Sequence, residues 1–248
     1  EYRDGVDITP EEIFRWSDEN KTTPKTSAPS MTEAMEVMKP FLDEGREIIC
    51  FSISDSMSTS GNVMRLAAED LEASDRVTVI NSANLSTGIG LQVIQAAILS
   101  AEGKTRAQIT AAIEEIRPRV RASFVVDTLT YLYRGGRCNA VAALAGGMLK
   151  LHPRIVVEDG AMDASKKYRG KLASVILSYT KDMEEALKNA VPDRVFITHS
   201  GCDREIVESV RSYLESLDIF NEILETRAGG VVSSHCGPGT LGVLFIEK

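Results

Sequence analysis

Ile48-Ile49-Cys50-Phe51-Ser52-Ile53-Ser54-Asp55-Ser56-Met57-Ser58-Thr59-Ser60-Gly61 is the stretch that decides the fold. Ile48 to Ile53 is a short, nearly continuous apolar run, the pattern of a strand buried on both faces. Ser54, Ser56, Ser58 and Ser60 then recur at every second position. That is more hydroxyl than one helix cap uses, although capping and turn formation are the commonest roles of serine and threonine. A helix follows, through about Ala73. The unit is therefore strand, hydroxyl-rich loop, helix.

The same unit recurs downstream. Val77 to Ile80 reads as a second buried strand, Asn81 to Gly90 as its polar loop and Leu91 to Ser100 as its helix. Thr105 caps a further helix, which Pro118 closes. Repetition of this kind predicts a parallel sheet with helices on both faces, a three-layer domain. Ligands in such sheets sit beyond the carboxyl ends of the strands, where both hydroxyl-rich loops lie. Upstream, Thr9-Pro10-Glu11-Glu12 is a capping box with proline at the first helical position. Ser30-Met31-Thr32-Glu33 is another, opening a helix that Gly45 ends.

After Pro118 the texture changes. Ala122 to Val126 reads as a strand and Leu129 to Tyr133 as a helical turn ended by Gly135-Gly136. Ala140 to Lys150 reads as a small-residue helix. Arg154 to Val157 with Asp159-Gly160 suggests a hairpin. Leu172 to Ala190 reads as one amphipathic helix, Glu205 to Leu217 as another, and Val195 to Thr198, Ile223 to Thr226 and Val243 to Ile246 as strands. These features predict a second α/β domain with a mixed sheet. The boundary is placed near Pro118 to Arg121, giving domains 1–119 and 120–248.

The 248 residues carry a formal charge of −8, which argues against a nucleic-acid backbone as partner. Cys50, Cys138, Cys202 and Cys236 form no CxxC pair, a usage suited to reduced thiols in a cytosol. No run approaches the roughly 20 apolar residues of a membrane span. The closest, Ala140 to Val157, is broken by Lys150, His152, Pro153 and Arg154. There is no signal-peptide pattern, and the start at Glu1 leads to the expectation that a native N-terminal piece is absent. The three histidines lack metal-ligand spacing, so no metal is expected. GxSxG, P-loop and dinucleotide motifs are absent, Gly88-Ile89-Gly90 lacking a third glycine.

Three stretches combine anion-binding potential. Lys25 to Ser30 and Ser52 to Gly61 bring hydroxyls to helix starts, where converging N–H groups and the helix dipole favour negative charge. His235-Cys236-Gly237-Pro238-Gly239 joins an imidazole to a glycine-rich turn, read either as a surface turn or as a donor beside a backbone anion nest. Thr26 and Ser58 are the candidate hydroxyls. Arg169 is either a surface residue or a charged partner for the same anion.

These residues resemble DegV proteins, bacterial fatty-acid-binding proteins that include the binding subunits of fatty acid kinase. Tyr2 to Ile8 is similar to the family's Asp-Gly segment. Lys25 to Ser30 resembles its Thr-Ser-Gln-Pro-Ser motif, with Ala28 in the glutamine's place. Ser54 to Ser60 resembles its serine loop, with Ser58-Thr59-Ser60 where Ser-Gly-Thr is usual. Asp127-Thr128-Leu129-Thr130-Tyr131-Leu132-Tyr133-Arg134-Gly135-Gly136-Arg137 is close to a specific signature, and His235 to Gly242 matches the C-terminal His-x-Gly-Pro-Gly-x-x-Gly pattern. The family's first strand, with its Asp-Ser motif, has no counterpart. The resemblance implies a two-domain α/β fold with a long-chain fatty acid such as palmitate between the domains. It implies a carboxylate held by Thr26 and Ser58 with Arg169 and His235 nearby, no cofactor, and no enzyme activity of the chain's own. It further implies a cytoplasmic binder, touching membranes at most transiently, that presents the carboxylate to a fatty acid kinase catalytic subunit. The rival expectation is a hydrolase or acyltransferase using a loop serine with His235.

Overall fold

A computed structural model of the chain describes residues 1–137 and 151–248. The expected small-residue helix at Ala140 to Lys150, and Cys138, lie outside the described residues. The chain forms two compact units, one of residues 27–120 with 159–161, the other of 1–26, 121–158 and 162–248.

The first unit is a three-layer α/β arrangement. Strands β1 (Ile48–Ser52) and β2 (Val77–Asn81) pair in parallel, with Ile48 opposite Val77 and Ser52 opposite Asn81. Alternation along β1 divides its apolar side chains between two cores. Ile48 and Cys50 pack with Met38 and Leu42 of α2 (Met31–Asp43) and Ala67 of α3 (Ser60–Asp70). Ile49 and Phe51 pack with Ala96 of α4 (Thr87–Ala101) and with Ile109 and Ile113 of α5 (Arg106–Ile116). Burying a side chain such as Ile80 or Ile113 contributes about 1.5–3 kcal/mol. The capping box expected at Ser30 is formed, and Thr105, expected to cap its helix, does so through a capping box of its own. Helix α4 begins at Thr87, earlier than the sequence suggested. Gly88 and Gly90 sit in its first turns, and the Asn84 side chain occupies the space a side chain on Gly88 would need.

The second unit holds a six-stranded mixed sheet in the order β5-β4-β3-β8-β6-β7. Its strands are β3 (Val120–Val125), β4 (Leu151–Glu158), β5 (Ala161–Arg169), β6 (Ala190–His199), β7 (Glu222–Arg227) and β8 (Leu241–Glu247). β3 and β4 are antiparallel, as are β6 and β8, while β6 and β7 are parallel. Its helices are α1 (Pro10–Asn20), α6 (Thr130–Gly135), α7 (Leu172–Lys181), α8 (Glu184–Lys188), α9 (Arg204–Ser216) and α10 (Gly230–Cys236). Tyr179 of α7 is fully buried in the core. Its hydroxyl donates to Ser123 O of β3 at 2.6 Å and accepts from Val243 N of β8 at 3.0 Å.

Three features depart from the sequence reading. The helix expected over Leu172 to Ala190 is two helices, broken where the Asp182 carboxylate accepts from Lys166 (2.5 Å) and Tyr168 (2.7 Å) of β5. The first 26 residues, expected in domain 1–119, group instead with the six-stranded unit. Their anchor is Asp4, whose carboxylate accepts from Gly230 N at 2.5 Å and Val231 N at 2.9 Å at the start of α10. The third is α10 itself, which was not expected. Trp16 on α1, in the same unit, is 43% exposed.

Candidate functional site

In the six-stranded unit, the site is built around α10. Asp4 caps the helix at one end, and His235 lies in its last turn. Gly230 permits the capping, since a Cβ there would stand 2.7 Å from Asp4 Oδ1 and 2.8 Å from Ile13 Cδ1. The half-buried His235 Nε2 lies 2.8 Å from Thr26 Oγ1. Thr26 therefore does not cap α2, a task done by Ser30.

The Asp127 to Arg137 signature forms the bed of this histidine. Gly135, closing α6, lies against His235 Nδ1 so closely that a Cβ there would collide with the ring. Tyr131 packs under the turn that follows: a Cβ on Gly237, whose φ is +76°, would meet its ring at 2.6 Å. Phe14 of α1 holds Tyr131 edge-on, with centroids 6.0 Å apart. Arg137 Nη1 donates to Gly135 O at 2.7 Å. Burial, and then the positive Arg137, push the His235 pKa below its usual 6.5. Both effects favour the neutral ring.

His235 Nδ1 is buried without a hydrogen-bond partner among the described residues. The tautomer decides which partner donates across the contact between His235 Nε2 and Thr26 Oγ1. With the proton on Nε2, the ring donates to Thr26 Oγ1, which leaves the threonine's own proton free to donate outward. The pair thus offers one donor to an acceptor such as a carboxylate oxygen.

The expected anion nest in the glycine turn is not available as such. Gly237 N donates to Ser233 O at 2.8 Å and Thr240 N to Ser200 Oγ at 3.2 Å. Ser200 Oγ also donates to Gly237 O. These bonds rigidify the turn after His235 and occupy two of its amides. Arg169 is the last residue of β5, exposed, and forms no side-chain ion pair among the described residues. The structure draws no bond between it and the Thr26–His235 pair.

The second hydroxyl array belongs to the first unit, at the carboxyl ends of β1 and β2. Ser54 N donates to Asn84 O at 2.9 Å, and Asp55 N donates to Asn81 Oδ1 at 3.3 Å, so the two loops bind each other. Ser58 Oγ accepts from Ser60 N at 3.2 Å and lies 2.8 Å from Ser60 Oγ. When Ser60 donates to Ser58, the Ser58 proton is free for an anion. Ser58 thus shapes the start of α3, whose Thr59 makes no side-chain cap bond.

Asp4, Tyr131, Gly135 and Arg137 are positioning residues that motif chemistry alone did not single out. Their signal was membership of two motifs whose role was unassigned. Among the described residues, no cluster of His, Cys, Asp and Glu could hold a metal, and no helix is long and apolar enough to cross a membrane. Burial pushes the Cys202 and Cys236 thiols up to about 12, the carboxylates of Asp203 and Asp127 adding to the effect at Cys202.

The family model described as "Uncharacterised protein, DegV family" matches residues 1–248. A DegV domain-containing protein of Caldanaerobacter subterraneus subsp. tengcongensis is 31% identical over 249 residues, covering 100% of this chain and 87% of the relative. One from Deinococcus radiodurans is 32% identical over 246 residues, covering 98% and 85%. Among solved structures, a DegV family protein from Thermus thermophilus, described for its fatty acid binding, superposes with a TM-score of 0.90 at 30% identity, covering 100% of this chain and 87% of the other. A stearic-acid-binding protein from Eubacterium ventriosum gives 0.84 at 29%, covering 100% and 86%.

Proposed function

This chain belongs to the DegV family, and on that footing we propose that it binds a long-chain fatty acid such as palmitate. The observation that carries the reading is the Thr26–His235 pair, a neutral donor relay suited to an ionised carboxylate. Ser58 supplies a second hydroxyl, and Arg169 a cation for the same head group. Fatty acid binding by the similar proteins from Thermus thermophilus and Eubacterium ventriosum supports the assignment.

The tail supplies most of the affinity. Each buried methylene contributes roughly 0.8 kcal/mol, so a sixteen-carbon chain gains on the order of 10 kcal/mol before ordering costs. A lipid in a bilayer already has most of that gain, so the proposal includes a dry apolar tunnel. Head-group bonds then tip the balance. In this reading the protein is a cytoplasmic carrier, not itself an enzyme, that presents the carboxylate to a fatty acid kinase for conversion to an acyl phosphate.

The rival reading, a hydrolase, draws on the same pair, since a hydroxyl 2.8 Å from an imidazole is nucleophile–base geometry. The partner is Thr26, however, and not a loop serine. An orienting carboxylate would raise the ring's basicity, whereas the neighbouring Arg137 lowers it. Mass spectrometry of lipid extracted from the purified protein tests the proposal. Near-stoichiometric fatty acid, with no turnover of acyl esters, is expected. A lipid-free protein that also fails to bind added palmitate would overturn it.

A further inference from the structure

The turn of the β4–β5 hairpin is out of the ordinary in its surroundings. Asp159 and Gly160 have φ values of +49° and +79°, the two left-handed residues of a tight hairpin turn, for which Asp-Gly is a preferred pair. A hairpin needs nothing more from them. Yet residues 159–161 group with the β1–β2 unit, while the strands they join lie in the six-stranded sheet unit.

The cause is a contact with the serine loop. Ser56 Oγ donates to Gly160 O at 2.5 Å. The same oxygen lies 3.2 Å from Ser54 Oγ, and Ser56 N donates to Ser54 Oγ at 3.4 Å. Gly160 comes close to the loop as well as bonding to it. A Cβ there would stand 2.6 Å from Ser54 Oγ and 3.6 Å from Ala83, touching both hydroxyl-rich loops. Ser54 is the loop's pivot: its carbonyl accepts from Met57 N at 2.9 Å and Ser58 N at 3.2 Å. The chain of contacts runs from Gly160 through Ser56 and Ser54 to the backbone of Ser58.

We infer that the Asp159-Gly160 turn, fastened by Ser56, is a positioning element that holds the Ser58 hydroxyl where it meets the ligand's head group. The inference rests on the fatty-acid reading and adds a residue outside its carboxylate-binding set. Ser56 is exposed, and its hydroxyl donates to the turn carbonyl. It acts through Ser54 and Ser58, not on the ligand. A positioning role of this kind affects the charged head group and leaves the tail untouched.

The test separates head from tail. Palmitate and hexadecanol share a chain length and differ in head group, and each competes with a fluorescent fatty acid for the purified full chain. Ser56→Ala is expected to lower palmitate affinity about tenfold, the loss of about one well-placed hydrogen bond. Hexadecanol affinity should stay within about twofold, so the preference for palmitate collapses. Ser56→Thr, which keeps the hydroxyl, restores the preference. Gly160→Asn tolerates the left-handed backbone but places a Cβ against Ser54 Oγ, and should reproduce the Ser56→Ala loss. A merely structural role for Ser56 would lower both affinities in parallel and leave their ratio unchanged, and that result overturns the inference alone. A wild-type protein that binds neither compound overturns the fatty-acid reading, and the inference with it.

Discussion

Replacing Thr26 by valine removes one hydroxyl and nearly nothing else, because the two side chains have similar shapes. His235 Nε2 loses its partner at 2.8 Å, while Nδ1 has none among the described residues. The half-buried position lets water reach Nε2, so the folding cost stays near that of one ordinary hydrogen bond, about 1 kcal/mol. In a chain of this size that lowers the melting temperature by roughly 2–4 °C. The cost to binding is larger. A donor bonded to an ionised carboxylate is worth about 1.5–3 kcal/mol, or roughly 10- to 150-fold in affinity. Urea denaturation and calorimetric titration with palmitate measure the two separately. Thr26→Val with His235→Leu should recover the stability, since removing both partners leaves no polar group behind, but should not recover the affinity. Unchanged palmitate binding by Thr26→Val would refute the relay. So would an affinity loss no larger than the folding loss.

Gly135→Ala should ordinarily stabilise a helix end by about 0.5–1 kcal/mol; here the new Cβ strikes His235 Nδ1, so thermal denaturation should show a loss and titration a weakened palmitate complex. Because burial lowers the His235 pKa, the unfolded chain binds the proton more readily, and stability is complete above pH 6.5 and falls as pH drops below it. Urea melts at pH 7.5 and 5.5 should show that slope in wild type and a smaller one in His235→Gln. Asp4→Ala removes the carboxylate capping α10 and should cost about 1 kcal/mol in a urea melt, with weaker palmitate binding because His235 rides on that helix.

What could be read from the sequence was local. The β1 run, the capping boxes at Thr9, Ser30 and Thr105 and the Asp159-Gly160 turn each encode their geometry within a few residues. The break in the 172–190 helix depends on Lys166 and Tyr168 of β5 reaching Asp182, a contact across the fold that helical periodicity cannot express. Helix α10 escaped notice because its seven residues include a glycine, two serines and no apolar stripe, and it is held by Asp4 from 226 positions away. The glycine turn after His235 looked like an anion nest because sequence does not reveal that Ser233 and Ser200 accept from its amides.

The packing of α1 also equips the protein with an optical reporter. Trp16 is the chain's one tryptophan, so red-edge excitation selects it over six tyrosines. It sits two residues from Phe14, which holds Tyr131 beneath the histidine turn, and one from Ser17, buried in the same helix. At 43% exposure its indole is half in solvent, where emission colour and quenching respond strongly to small changes in wetting. Any shift of α1 as His235 engages a head group therefore becomes a change in intrinsic fluorescence, readable in unlabelled protein on the time scale of mixing.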